Sequence, residues 1–145
     1  MSYLETLRAE HRSCDAALVL IEQAAHGGDW DVAGAAQQVF VDQTEQHFRY
    51  EEEQLFPALA QAFPAAAAGP IPVMQSEHRQ MRELFDDLAL AVRKRDAALL
   101  ADTVQTLLFL MQQHNAKEEN VLYPMADRSL PPRAAATPAP SSKSA

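Results

Sequence analysis

Apolar positions recur at three- and four-residue steps through most of the chain, the spacing that lines one face of an α-helix. The first such stripe holds Leu4, Leu7, Cys14, Leu18 and Ile21, with His11 on the same face. Ser2 followed by Glu5 has the form of a capping box that opens this helix, and Gly27-Gly28 closes it. A second stripe runs through Val32, Ala36, Phe40, His47, Glu51 and Leu55, with Asp29 or Asp31 as its cap. Pro57 is expected to bend or stop this helix near Phe56, because a proline ring clashes with the preceding turn. Residues 58–63 read as a short helical turn, and Phe63 to Pro72 (FPAAAAGPIP) as a connection punctuated by proline and glycine. A third helix is expected from near Pro72, with Met74, His78, Met81, Phe85, Leu88 and Val92 on one face. Arg93-Lys94-Arg95 in its last turn complement the helix dipole. A fourth starts at Asp96 and carries Leu100, Val104, Leu107, Leu110 or Met111, His114, Glu118 and Leu122 inward as far as Pro124.

No stretch sustains the two-residue alternation of a strand. Four amphipathic helices of roughly 25 residues with short connections predict an all-α fold, an antiparallel up-down-up-down four-helix bundle over residues 1–128. Residues 129–145 turn to Pro, Ala and Ser without periodicity, and this tail is expected to be disordered.

The two halves repeat one another. His47-Phe48-Arg49-Tyr50-Glu51-Glu52-Glu53-Gln54-Leu55-Phe56-Pro57 and His114-Asn115-Ala116-Lys117-Glu118-Glu119-Asn120-Val121-Leu122-Tyr123-Pro124 both read H-x-x-x-E-E-x-x-L-aromatic-P, 67 residues apart. The same offset relates Glu10-His11-Arg12 to Glu77-His78-Arg79, so four of the five histidines belong to a two-fold helix-pair repeat. Residues i and i+4 share a helix face, which points His47 with Glu51 and His114 with Glu118 the same way. Measured from their common loop, His11 and His47 fall at similar depth in an antiparallel pair, and the second half repeats that placement. Six groups thus converge on one level: His11, His47, Glu51, His78, His114 and Glu118. Two carboxylates in an apolar interior are costly unless compensated, and the inward stripes carry no lysine or arginine. A pair of metal ions is the straightforward compensation, and mixed imidazole and carboxylate donors with free positions suit iron or manganese.

Composition narrows the remaining classes. A net charge of −8 over 145 residues disfavours nucleic acid or an anionic membrane as partner. One cysteine excludes a disulfide framework and a cysteine-built zinc site. The first residues lack the blocks of a signal peptide and no apolar run is long enough to span a bilayer, so the expected location is the cytoplasm.

The combined pattern resembles the hemerythrin-like, or HHE cation-binding, domain family over about residues 4–126. The resemblance implies a non-haem di-iron centre, oxo- or hydroxo-bridged, with manganese or zinc as lesser alternatives. By that analogy His11 and His47 with one glutamate, and His78 and His114 with the other, surround two irons that Glu51 and Glu118 bridge. Hemerythrin oxygen carriers have a further histidine one turn before that of the third helix, where this chain has Met74. They also have an aspartate five residues after the fourth-helix histidine, where this chain has Glu118 at i+4. The symmetric set is closer to the iron–sulfur repair and iron-sensing branches. The implied function is binding, sensing or reacting with dioxygen, nitric oxide or peroxide. Iron storage or donation and a di-iron peroxide or oxygen reductase are the alternatives, with no protein-partner motif evident.

Other positions read more plainly. Cys14 is a small buried hydrophobe with a redox role as the alternative, and Gln43 a distant candidate to support His47. Tyr50 and Tyr123 read as core or rim aromatics, with electron relay the alternative. Glu10, Glu77, Glu52, Glu53 and Glu119 are expected on the solvated surface, and His26 outside the ligand set.

Overall fold

The computed structural model describes residues 2–132, and all the regular structure among them is helical. The segments are α1 (Tyr3–His26), α2 (Trp30–Tyr50), α3 (Phe56–Ala62), α4 (Pro64–Ala68), α5 (Pro70–Lys94), α6 (Ala97–Lys117) and α7 (Tyr123–Ser129). The all-α expectation therefore stands, with a finer division than the four stripes suggested. The connection between halves contains its own short helix, α4, and α5 starts at Pro70 rather than Pro72.

Local chemistry accounts for the boundaries. The Ser2 hydroxyl accepts from the Glu5 N–H at 2.9 Å, and the Glu5 carboxylate accepts from the Ser2 N–H at 3.3 Å, a complete capping box. At the end of α1 the chain reverses through Gly28 at φ +80°, and the Asp29 N–H returns to the Ala24 carbonyl at 2.9 Å. Asp29 then caps α2 by accepting from the Val32 N–H. The second half copies this turn 67 residues on. Arg95 takes the left-handed conformation at φ 52°, the Asp96 N–H returns to Ala91 at 2.9 Å, and Asp96 caps α6.

Proline does not stop the helices as sharply as its chemistry allows. Between α2 and α3 lies one π-helical turn, Glu51–Leu55, and between α6 and α7 another, Glu118–Leu122. The Phe56 N–H bonds to the Glu51 carbonyl and the Tyr123 N–H to the Glu118 carbonyl, both spanning five residues. Widening the turn by one residue lets the chain pass Pro57 and Pro124, whose rings clash with an ordinary α-helical ladder and have no N–H to offer it. Each wide turn begins at one of the two buried glutamates.

The long helices pack in a closed ring: α1 on α2, α2 on α5, α5 on α6, and α6 on α1. Their inner faces make two apolar clusters. One, toward the α1–α2 and α5–α6 turns, includes Leu18, Ile21, Phe40, Phe85, Leu88, Val104 and Leu107. The other, toward the chain termini, includes Leu7, Leu55, Leu59, Met74, Leu122 and Tyr123, closed over by α3, α4 and α7. The layer of histidines and glutamates separates them. No helix among the described residues is long and apolar enough to cross a membrane. The tail expected from residue 129 lies mostly outside the described residues; Ser129 closes α7, and the Pro131 carbonyl accepts from the Tyr3 hydroxyl at 2.9 Å.

Candidate metal centre

All six residues singled out from the repeat meet in this layer. Glu51, His78 and Glu118 are 0% exposed, His114 1%, and His11 and His47 5%. Burial this complete removes the water that would otherwise satisfy charged groups. They form two adjoining groups. Donor atoms of His11, His47, Glu51 and Glu118 lie within 4.8 Å of one another, as do those of Glu51, His78, His114 and Glu118.

Both carboxylates belong to both groups, one oxygen to each. Glu51 turns Oε2 to His47 Nε2 and Oε1 to His78 Nε2, each at 3.1 Å. Glu118 turns Oε1 to His11 Nε2 at 3.1 Å and Oε2 to His114 Nε2 at 3.2 Å. The arrangement follows the 67-residue repeat atom for atom.

A second layer of four carboxylates fixes the imidazoles. The Nδ1–H of His11 donates to Glu119 at 2.7 Å, that of His47 to Glu10 at 2.8 Å, that of His78 to Glu52 at 2.6 Å, and that of His114 to Glu77 at 2.8 Å. An ionised carboxylate can only accept, so every Nδ1 carries a proton and every Nε2 faces the centre. Glu10, Glu77, Glu52 and Glu119 keep part of the solvent exposure expected of them, but they are also tied to the site. Their backbone positions lie off the inward stripe, but each side chain reaches across a helix seam to the neighbour's histidine. A signal for them was present in the sequence, because both pairs repeat at the ligand offset. Arg82 braces Glu52 with bonds of 2.8 and 3.0 Å, while its guanidinium lies over the Phe48 ring.

In the second group the geometry is unsatisfied. Glu51 Oε1, His78 Nε2, His114 Nε2 and Glu118 Oε2 are buried, and none has a hydrogen-bond partner. With the protons on Nδ1, imidazole lone pairs face carboxylate lone pairs at about hydrogen-bond distance, which is repulsive unless a cation or extra protons intervene. The donor set fits a pair of transition-metal ions.

Without a cation, protons take that place. Burial pulls the His114 pKa down, but the Glu118 charge and hydrogen bonds from the protonated ring to Glu118 and Glu77 outweigh it and hold it at about 9. His47 is likewise raised well above its ordinary value, burial being overcome by Glu51 and Glu10. For Glu51 burial works upward, yet the His47 charge and its hydrogen bonds hold the carboxyl well below the usual range. Burial also works upward on Glu52, but His78 and Arg82 bring it to about 2.

Tyr123, expected as a core or rim aromatic with electron relay as the alternative, does more than pack. It is fully buried, and its hydroxyl lies inside the first group, 2.7 Å from Glu118 Oε1 and hydrogen-bonded to Glu51 Oε2. Only its place 67 residues after Phe56 hinted at this, as the one aromatic pair of the repeat that differs by a hydroxyl. Cys14 is buried in the apolar cluster, its thiol pushed up by burial, which is the inert behaviour expected of it.

Comparison with known proteins bears on the same residues. The model of the Hemerythrin HHE cation binding domain matches residues 2–126. The iron-sulfur cluster repair protein YtfE of Salmonella typhimurium is 32% identical over 88 residues, covering 55% of this chain and 40% of that protein. The YtfE protein of Salmonella newport matches to the same extent. The match thus spans less than half the length of these relatives. No solved structure matches the chain.

Proposed function

The chain belongs to the Hemerythrin HHE cation binding domain family, and from that premise we propose that it is a di-iron protein that binds, senses or reacts with dioxygen, nitric oxide or peroxide. In this reading the ring of long helices is an antiparallel four-helix bundle that carries the centre in its middle. His11 and His47 hold one iron, His78 and His114 the other, and Glu51 and Glu118 bridge them. The observation that carries the reading is the quartet of buried donor atoms around His78 and His114 with no hydrogen-bond partner.

Bound iron supplies one-electron chemistry and coordination positions for a small ligand. The protein's own part is to hold and to exclude. Four outer carboxylates fix imidazole orientation and raise ligand basicity. The two flanking apolar clusters keep water from the layer, so only small or uncharged species gain access cheaply.

Anaerobic iron loading followed by metal analysis tests the proposal. About two irons per chain are expected, with oxo-iron charge-transfer absorption after oxygen exposure. Glu51→Ala and Glu118→Ala should each lose the two-metal centre, whereas His26→Ala should retain it. Equal iron in all three, or none in the parent, refutes the assignment.

The second reading, iron donation to damaged iron–sulfur clusters, is favoured by the likeness to the iron-sulfur cluster repair proteins of Salmonella. Iron transfer to an apo-cluster acceptor faster than from free iron would support it. No acceleration over free iron would remove it.

A further inference from the structure

The duplicated half-sites agree in every donor but one. Phe56 lies against His78 with ring centroids 5.8 Å apart and planes at 26°, and its repeat mate Tyr123 lies against His11 at 5.6 Å and 34°. The phenol oxygen is therefore the one atom at the centre of the layer that breaks the two-fold symmetry. Its position is specific. It stands 3.1 Å from His11 Nε2, 3.3 Å from His47 Nε2 and 2.7 Å from Glu118 Oε1, and it contacts Glu51 Oε2. Those four atoms are themselves spaced at 3.1 Å along three consecutive sides: His11 to His47, His47 to Glu51, and His11 to Glu118.

Such spacing fits a coordination shell. In an octahedron with metal–ligand bonds of about 2.0–2.2 Å, neighbouring donors lie roughly 3 Å apart. Four donors with three sides of 3.1 Å, all within 4.8 Å of one another, and a fifth atom 2.7–3.3 Å from three of them and in contact with the fourth match five corners of that octahedron. An atom occupying the metal's own position would instead sit at bonding distance from each.

We infer that Tyr123 is a metal ligand, its phenolate oxygen adding a fifth donor to the shell of the ion held by His11, His47, Glu51 and Glu118. The second ion then has Phe56 at the matching corner and no fifth protein donor. The two irons are inequivalent: one is shielded by a phenolate, and the other has the more open shell and is the position for a small exogenous ligand. On ligation the phenol proton leaves to solvent and the oxygen bonds to the ion, with no change of oxidation state. The inference rests on the di-iron reading and deepens it.

Resonance Raman and visible absorption of the ferric, iron-loaded chain test it, alongside iron analysis. The parent protein should hold about two irons and show a phenolate-to-iron charge-transfer band with tyrosinate ring modes enhanced in it. Tyr123→Phe should lose both while keeping two irons, and the double change Tyr123→Phe, Phe56→Tyr should restore them. Two irons without tyrosinate modes in the parent overturn the inference and leave the di-iron reading intact. Modes that survive in Tyr123→Phe overturn it as well, assigning them to Tyr3 or Tyr50. Absence of iron from the parent overturns both. Should Tyr123→Phe not fold, the parent spectrum alone decides.

Discussion

Glu77 touches no metal position, yet its removal should be felt there. Its Oε1 accepts the His114 Nδ1–H at 2.8 Å, and its Oε2 pairs with Lys117. The hydrogen bond from His114 is the main reason its pKa is lowered, and burial opposes this. Glu77→Ala leaves the His114 ring free to turn and strips it of the anion that makes Nε2 a better donor. Loss of such a partner costs about 10–100-fold in metal affinity, or roughly 1.4–2.7 kcal/mol. At fixed free iron above Kd the same energy leaves the thermal stability of the loaded protein. For a domain of this size each kcal/mol moves Tm by about 3–5 °C, so the loaded variant should melt roughly 4–13 °C lower. Chelator competition followed by absorption gives the affinity, and melting with and without iron separates this loss from any change in the cation-free fold. An affinity within twofold of the parent's, in a variant of normal cation-free stability, would show that the outer carboxylate does not support the site.

Three further outcomes follow from other parts of the molecule. Arg95 holds φ 52° where its repeat mate is Gly28, so Arg95→Gly should stabilise the chain by up to about 1 kcal/mol and Gly28→Ala destabilise it by about as much, read from denaturant midpoints. His114 in the cation-free protein has a pKa raised to about 9. Its contribution, on the order of 3 kcal/mol, is full below the unfolded value near 6.5 and lost as pH rises through 9, so cation-free Tm should fall across that window. Iron loading at pH 7 should for the same reason release protons, measurable as a buffer-dependent heat; a heat independent of buffer ionisation enthalpy would contradict the protonated cation-free state.

The stripes, caps and repeat were legible because each is a local rule or a register. Ser2, Asp29 and Asp96 cap as their chemistry dictates, and the six inward residues fall at one depth because helical spacing carries them there. What escaped is non-local. Glu10 and Glu77 look outward on a single helix wheel, and only the neighbour 37 residues on gives them a partner. The π turns escaped because proline chemistry forbids the ordinary ladder without saying whether the chain will stop or widen. Tyr123 lies on the far side of such a turn, and an α-helical count places its hydroxyl elsewhere.

The layer of histidines and glutamates has one more consequence, since it lies between two separate oily reservoirs rather than within one. Stripped of cations, the molecule is two hydrophobic lobes joined across a charged seam, and each lobe should be able to open alone. Ions held as proposed would rivet that seam from four helices at once, so amide hydrogens on either side should pass from two opening energies to a single shared one.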